Sequence, residues 1–308
     1  PAVILERDVV PVGHYRLPSA GRDGVMRRRG GALVRAVHHG DECAVVAAWR
    51  VSGGVRLRAE SRSELAAAYA LDRMGFALCL DQDLRPFHRA FTSDRLIGPI
   101  IRRMPWLRPR RFADPFQSLA WALTEQLIET ERAWAIQRRL TWRYGRQSAC
   151  GTFHDSPAAP DIAARSQPEL QACDLSAARS AALIRAGREV AAGRIDLSEH
   201  EPAWERLLRI REIGPWTIEK LALHGQGRDD MLPAGDLAYV KYVGRIAGLG
   251  RRATVEEVRE WFEPYAPYAA LAGLYLLVGG GAHVADRPPA TVRGGYRTSR
   301  PRRAGARW

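Results

Sequence analysis

The sequence lacks several features that mark common protein classes. Its four cysteines form no CxxC pair, which argues against a zinc site, a disulfide framework and a four-cysteine iron–sulfur cluster. No apolar run reaches the roughly 18 residues that a membrane-spanning helix needs, and Pro1 opens no cleavable signal pattern. We therefore expect a soluble protein of the cytoplasm with no bound metal or organic cofactor.

Lysine is almost absent from a strongly basic chain. Lys and Arg together number 47, but only Lys220 and Lys241 are lysines, and the formal net charge is +13. Arg287–Trp308 contains seven arginines and no acidic residue, so we predict a disordered basic tail over residues 286–308. The net charge of the rest of the chain is still positive when this tail is left out, which makes nucleic acid the leading candidate partner.

The N-terminal third has the pattern of a small α+β unit. Apolar segments at 32–37, 43–51 and 55–59 are separated by short polar or glycine-containing turns, which predicts an antiparallel meander. Helical spacing follows over 63–80. We therefore predict an α+β accessory domain, an antiparallel sheet with helices, over residues 1–110.

Beyond about residue 110 the strand signals disappear and helices dominate. Asp114 is suited to an N-cap and Pro115 to a first helical position. Later segments have helical spacing too, and glycines stand where several of them should stop. We predict an all-helical domain over 111–285, with helices at 176–192, 202–209, 216–224, 236–247, 254–262 and 267–278.

Some residues that could bind ligands have a simpler interpretation. His38, His39 and Cys43 could in principle bind a metal ion, but their spacing in a predicted turn matches no standard ligand set. We interpret them as an ordinary turn. Trp204 and Trp261 are predicted to lie in the core.

The most informative stretch runs from Leu207 to Asp236. Two amphipathic helices are joined by a short turn around Ile213-Gly214-Pro215, which predicts a tight αα-hairpin. Gly214 permits positive φ and close approach of another backbone, and Pro215 is suited to begin the second helix. Amides at that helix N-terminus would face a DNA phosphate, although an ordinary hairpin fits the turn equally well.

With the glycine-rich loop and acid that follow this hairpin, the chain resembles the helix-hairpin-helix (HhH-GPD) DNA glycosylase superfamily. Within it, the chain looks most like the bacterial 3-methyladenine DNA glycosylase II group. Phe112–Gly145, Leu175–Leu197 and Trp261–Leu277 resemble further helices of that catalytic domain. The resemblance implies a monomeric base-excision repair enzyme that flips a damaged base out of double-stranded DNA.

The resemblance assigns Asp236 as the catalytic carboxylate. Breaking an N-glycosidic bond develops oxocarbenium character at the sugar, which a fixed anion stabilises. A base made cationic by alkylation leaves readily, so a second acid is not required. Asp236 could equally be the N-cap of the next helix, and the two roles are compatible.

Bifunctional members of the superfamily carry a lysine where this chain has Trp216. The difference implies a monofunctional hydrolase that leaves an abasic site, and the indole offers a face for stacking a cationic base. The implied base pocket is Trp216, Lys220 and Leu274. Lys220 and Leu274 replace aromatic walls of broad-range relatives, which implies a narrower or different lesion range.

The resemblance also implies a set of DNA contacts. Leu127 would be the wedge that fills the gap left by the flipped base, although helical periodicity supports a core leucine equally. The resemblance leaves a monovalent cation at the hairpin open, but Glu212 replaces the first glycine of the usual Gly-hydrophobic-Gly motif, which puts the phosphate and metal-ion contacts there in doubt. The implied DNA-binding residues are Gln126, Leu127, Ile213, Gly214, Pro215, Thr217 and Lys241.

Two alternatives to a 3-methyladenine glycosylase remain open at this point. One is a glycosylase of the same fold that acts on an oxidised or deaminated base. The other is a catalytically silent protein that binds distorted DNA.

Overall fold

The computed structural model describes residues 2–280, and all of its strands lie in the first 61 residues. They form one antiparallel sheet in the order β1-β5-β4-β3-β2. The predicted meander corresponds to its three central strands, whereas the two outer strands were not predicted. The strands are β1 (Val3–Val9), β2 (Arg27–Arg29), β3 (Ala32–His39), β4 (Glu42–Val51) and β5 (Gly54–Ser61).

Helices account for all the regular elements after the sheet. In the first half they are α1 (Glu64–Ala77), α2 (Arg85–Phe91), α3 (Gly98–Arg103), α4 (Pro115–Glu125), α5 (Thr130–Tyr144), α6 (Ala159–Ala163) and α7 (Gln167–Gln171). They continue as α8 (Ala177–Ala191), α9 (His200–Leu207), α10 (Pro215–Gly225), α11 (Leu237–Ile246), α12 (Val255–Phe262), the 3-10 turn Glu263–Tyr265 and α13 (Ala269–Gly280).

One face of the sheet is covered by α1. Inward side chains alternate along β4 and β5, as expected of strands with a single buried face. Leu33 and Leu57 of the sheet pack with Ala70 and Met74 of the helix, and all four are fully buried. The sheet and α1 thus share one hydrophobic core.

The helices form two further cores. The first is built mainly from α4, α5, α8 and the first part of α10. The second joins α2 and α3 to α11, α12 and α13, with Phe87 and Ile97 packed among Val243, Phe262 and Tyr275. Two helices from the predicted N-terminal unit therefore pack with the C-terminal helices.

The predicted domain bounds stay a prediction, and the predicted tail at 286–308 lies outside the described residues. An antiparallel sheet followed by helices agrees with the predicted fold class. No helix in residues 2–280 is long and apolar enough to cross a membrane.

A buried ionic cluster connects the sheet to the helical part. The carboxylate of Asp155, in the loop after α5, accepts a bond from Arg35 Nη2 at 2.9 Å. Its other oxygen lies 2.9 Å from the backbone N of His38 and 3.2 Å from that residue's Nδ1. His38 therefore belongs to this cluster, and no potential metal-binding group of three His, Cys, Asp or Glu residues exists in the described part of the chain.

The first helical core brings α4 and α10 close together. Asp114 caps α4 by accepting a hydrogen bond from the amide of Phe116 at 2.9 Å, as its sequence position predicts. On α10, a Cβ placed on Gly225 would lie only 2.8 Å from Ser118 Cβ of α4. The absent side chain therefore allows the end of α10 to approach the start of α4.

Candidate active site

The predicted hairpin is formed by α9 and α10, with residues 208–214 between them. Gly214 is the N-cap of α10 and Pro215 its first residue, as the sequence predicts. Gly214 does not use the positive φ that a glycine permits, because its φ is −109°, whereas Glu212 has φ +73°. The left-handed residue of the turn is thus the glutamate that replaces the usual glycine.

The N-terminus of α10 offers unsatisfied donors. The amides of Gly214, Trp216 and Thr217 donate to no acceptor within residues 2–280, and nothing lies within 4 Å of a Cβ placed on Gly214. Free amides at a helix N-terminus, together with the helix dipole, favour an anion such as a phosphate. Arg211, missed in the sequence analysis, adds a cationic side chain that is 94% exposed.

Not every predicted hairpin contact can be made by a side chain. Ile213 and Thr217 are buried, so their side chains do not face solvent. The Thr217 hydroxyl instead accepts a bond from Gln126 Nε2 at 3.0 Å. A DNA contact by Ile213 or Thr217 therefore stays a prediction for backbone atoms alone, and the Ile213 amide already donates to the Ile210 carbonyl oxygen at 3.1 Å. Pro215, by contrast, is exposed.

Leu127 projects from the loop between α4 and α5. Its side chain is 98% exposed and its φ is +51°, an uncommon conformation for a non-glycine residue. The alternative interpretation as a core leucine is therefore wrong. A large apolar side chain held fully in solvent is the geometry that a wedge requires.

Gln126 fixes the loop of residues 126–129, called the wedge loop after the predicted role of Leu127, to the hairpin. Its Nε2 donates to the carbonyl oxygen of Glu212 at 2.8 Å as well as to the Thr217 hydroxyl. The side-chain amide nitrogen is therefore used inside the protein, and its contribution is to position Leu127 relative to the hairpin. This contact joins residues 86 apart in the chain.

Asp236 stands at the N-terminus of α11. Its Oδ1 accepts a hydrogen bond from the amide of Ala238 at 3.0 Å, and its side chain is the N-cap of that helix. The residue is half-buried, and its Oδ2 accepts no hydrogen bond from the described residues. One oxygen thus fixes the carboxylate while the other is free to face a ligand.

Trp216 lies next to the residue that precedes Asp236. A Cβ on Gly235 would be 3.7 Å from Trp216 Cδ1, so the loop and the indole are in contact. The indole Nε1 is buried and has no hydrogen-bond partner in the described structure. The loop that leads to Asp236 therefore contacts the second helix of the hairpin.

Lys220 lies one turn further along α10. Its Nζ is 5.5 Å from the centroid of the Trp216 ring and 3.0 Å from Glu125 Oε2. Glu125 ends α4 and has no role in the sequence-based predictions, although the two residues that follow it, Gln126 and Leu127, are predicted to bind DNA. The other predicted positions are less informative: Leu274 is half-buried on α13, and Lys241 is exposed on α11.

The two cavities described in this structure lie elsewhere. One of about 690 Å³ opens between the loop after β1 and the start of α4, and another of about 380 Å³ is bounded by Ile128, Arg132 and Asp174. Asp236 lines neither of them. The candidate site is therefore defined by contacts between the hairpin, the wedge loop and the start of α11.

The chain is similar in sequence to known DNA glycosylases. The chain is 23% identical over 204 residues to a DNA-3-methyladenine glycosylase of Bacillus subtilis, covering 64% of this chain and 67% of that protein. It is 29% identical over 178 residues to DNA-3-methyladenine glycosylase 1 of Schizosaccharomyces pombe, covering 55% of this chain and 75% of that protein. No protein-family model matches the chain.

Solved structures share the fold. A 3-methyladenine DNA glycosylase from Archaeoglobus fulgidus superposes with a TM-score of 0.74 at 20% identity, covering 89% of this chain and 96% of that one. The S. pombe 3-methyladenine DNA glycosylase, solved in complex with abasic DNA, superposes with a TM-score of 0.51 at 25% identity, covering 62% and 95%.

In sequence the chain is therefore similar to 3-methyladenine DNA glycosylases, and in fold to a solved glycosylase of the same name.

Proposed function

We propose that this protein is a monofunctional DNA glycosylase of base excision repair, which hydrolyses the N-glycosidic bond of a flipped alkylated purine of the 3-methyladenine type. The observation that carries the proposal is the position of Asp236. Its carboxylate is held by the amide of Ala238, and the residue before it, Gly235, lies against Trp216 on the second helix of the hairpin. The activity named for the relatives is the same.

DNA binding is divided between two neighbouring structures. The free amides at the N-terminus of α10 bind a backbone phosphate, and Arg211 adds a charge-assisted contact. Leu127 enters the duplex where the damaged base leaves the stack, and Gln126 sets its position against the hairpin. Lys241 lies on the exposed side of α11 and contributes a further phosphate contact. We propose that one protein molecule suffices for these contacts.

The reaction needs one carboxylate and one water. As the bond between C1′ and the base nitrogen breaks, its electron pair goes to the base, and Asp236 stabilises the positive charge that develops on the sugar. Water then adds through its oxygen to C1′, and its proton passes to the carboxylate. The products are the free base and an abasic site, and a base that was cationic leaves neutral.

Lys220 is not suited to the Schiff-base chemistry of a lyase. Its Nζ lies 3.0 Å from Glu125 Oε2, so the side chain is engaged in an ion pair with a carboxylate. An ammonium has no lone pair with which to attack a sugar. The chain should therefore release a base without cleaving the strand.

Base release and covalent trapping test this function together. Purified protein is incubated with duplex oligonucleotides that contain 3-methyladenine or 7-methylguanine, and the freed base is quantified. We expect base release, an abasic product that remains intact until alkali is added, and no protein–DNA adduct with borohydride. Salt-sensitive binding without release would identify a silent binder, and a borohydride adduct would contradict the monofunctional mechanism.

A further inference from the structure

Lys220 places a fixed positive charge over the indole of the candidate base pocket. Its Nζ is 5.5 Å from the centroid of the Trp216 ring, within the range of a cation–π contact. The ring is thus already in contact with a cation that belongs to the protein.

This ammonium is held in place by a largely buried partner. The side chains of Lys220 and Glu125 are only 17% and 27% exposed. Burial raises the pKa of Glu125, but the ammonium outweighs this effect and the pKa lies below its usual value. Glu125 is therefore ionised near neutral pH and anchors Lys220 from α4.

The pair lies between the two elements that handle the flipped nucleotide. Glu125 is two residues before the wedge Leu127, whereas Trp216 contacts the loop that ends in Asp236. A base that leaves the stack at the wedge and stacks on Trp216 therefore lies next to the ammonium. This step rests on the proposed function of the site.

Charge distinguishes two kinds of lesion at this point. A purine nucleoside alkylated at N3 or N7 is cationic, so it would compete with the ammonium for the indole face and be repelled by it. A neutral lesion with a ring carbonyl is instead bound more tightly, because the ammonium donates a hydrogen bond to the carbonyl oxygen. That bond also stabilises the negative charge on a neutral base as it accepts the electron pair of the broken bond.

We propose that Lys220 is a specificity-determining residue that shifts this site away from cationic N-alkylpurines and toward neutral purine lesions with a carbonyl oxygen, such as hypoxanthine. Glu125 is the positioning residue that holds it. No proton is transferred from Lys220 in this scheme, so the hydrolytic step is unchanged.

The test is a ratio of two rates. Single-turnover release of 7-methylguanine and of hypoxanthine is measured for wild type and for Lys220→Met. The double variant Glu125→Gln/Lys220→Met is measured as well, because it leaves no unpaired buried charge and can replace the single variant if that protein is unstable. We expect the ratio of 7-methylguanine to hypoxanthine release to rise about tenfold in both variants, which corresponds to about 1.4 kcal/mol.

Two controls separate this effect from a general loss of charge. Lys220→Arg keeps the cation and should keep the ratio near that of wild type. Lys241→Met removes the same charge from the exposed side of α11 and should slow both reactions alike. An unchanged or lowered ratio in the Lys220→Met variants, with wild type active, overturns this proposal alone. A wild type that releases neither base overturns the proposed function and this proposal with it.

Discussion

Two of the buried ion pairs in the described residues have similar chemistry but different settings. Asp155 with Arg35 and His38 lies in a nearly dry interface, where the three side chains are 11%, 3% and 4% exposed. Glu125 with Lys220 is somewhat more open and lies beside an exposed leucine and a half-buried indole. The first cluster joins two parts of the fold, and the second borders the place where a ligand would bind.

Because of this difference in burial, we expect the first cluster to stabilise the fold and the second to affect ligand recognition. A charge buried without access to solvent has only its protein partners, so removing one partner leaves the others uncompensated. A charge at the border of a site can exchange a protein partner for a ligand. Substitutions in the interface should therefore change unfolding, whereas those around the hairpin and wedge should change mainly catalysis.

The largest effect on stability is expected for Asp155→Ala. It removes the partner of Arg35 and His38, and we expect the free energy of unfolding to fall by about 3–5 kcal/mol in denaturant titrations. Asp8→Ala is the matched control, because it breaks the exposed pair between Asp8 and Arg56. A loss as large in the control would contradict the role given to burial.

The same cluster should make stability depend on pH. Burial lowers the pKa of His38, but the hydrogen bond to Asp155 and contact with Cys43 outweigh it and raise the pKa to about 9. Because the folded pKa exceeds the unfolded value of 6.5, the stabilisation is complete below pH 6.5 and is lost as the pH rises through 9. We expect a loss of at most about 3 kcal/mol.

His38→Gln is the comparison for that measurement. The unfolding free energy of this variant, determined by denaturant titration at several pH values, should be nearly flat over the range in which wild type weakens. A slope equal to that of wild type would show that another group titrates.

Leu127→Ala should separate catalysis from stability. The side chain is 98% exposed, so we expect the free energy of unfolding to change by less than about 0.5 kcal/mol. Base release should slow about tenfold, because the gap in the base stack is no longer filled. Leu65→Ala on α1, where the leucine is 65% exposed, is the control and should leave both quantities unchanged.

The smallest expected effect is a gain in stability from Glu212→Gly. Glutamate at φ +73° has a steric cost that glycine does not, so unfolding should require about 1 kcal/mol more. Glu212→Ala retains the Cβ and should give no such gain in the same thermal or denaturant titration. Equal gains from both variants would mean that the backbone conformation is not the cause.

The features that could be predicted from the sequence are those whose signals lie close together in the chain. The hairpin, the cap of α10 and the acid at the start of α11 are readable because their signals lie within about 30 consecutive residues. The central strands are readable for the same reason. By contrast, β2 is Arg27–Arg29, three exposed arginines whose pairing depends on β3 and not on their own pattern.

Long-range contacts could not be predicted in this way. Asp155 pairs with a residue 120 positions earlier, and nothing local distinguishes it from a surface acid. Glu125 and Lys220 can each be recognised in the sequence as a charged residue on a predicted helix, but their pairing follows from the packing of α4 on α10. The exposure of Leu127 depends on its loop leaving helical geometry, which periodicity alone did not indicate.

The most direct test of the central claim is base release by Asp236→Asn. Asparagine is nearly isosteric and is an equally good N-cap, so α11 should keep its start and the protein its stability. We expect release from alkylated duplex DNA to fall at least about 100-fold, with affinity for the abasic product retained. Release at the wild-type rate by this folded variant would show that Asp236 is a helix cap and that the reaction is driven from elsewhere.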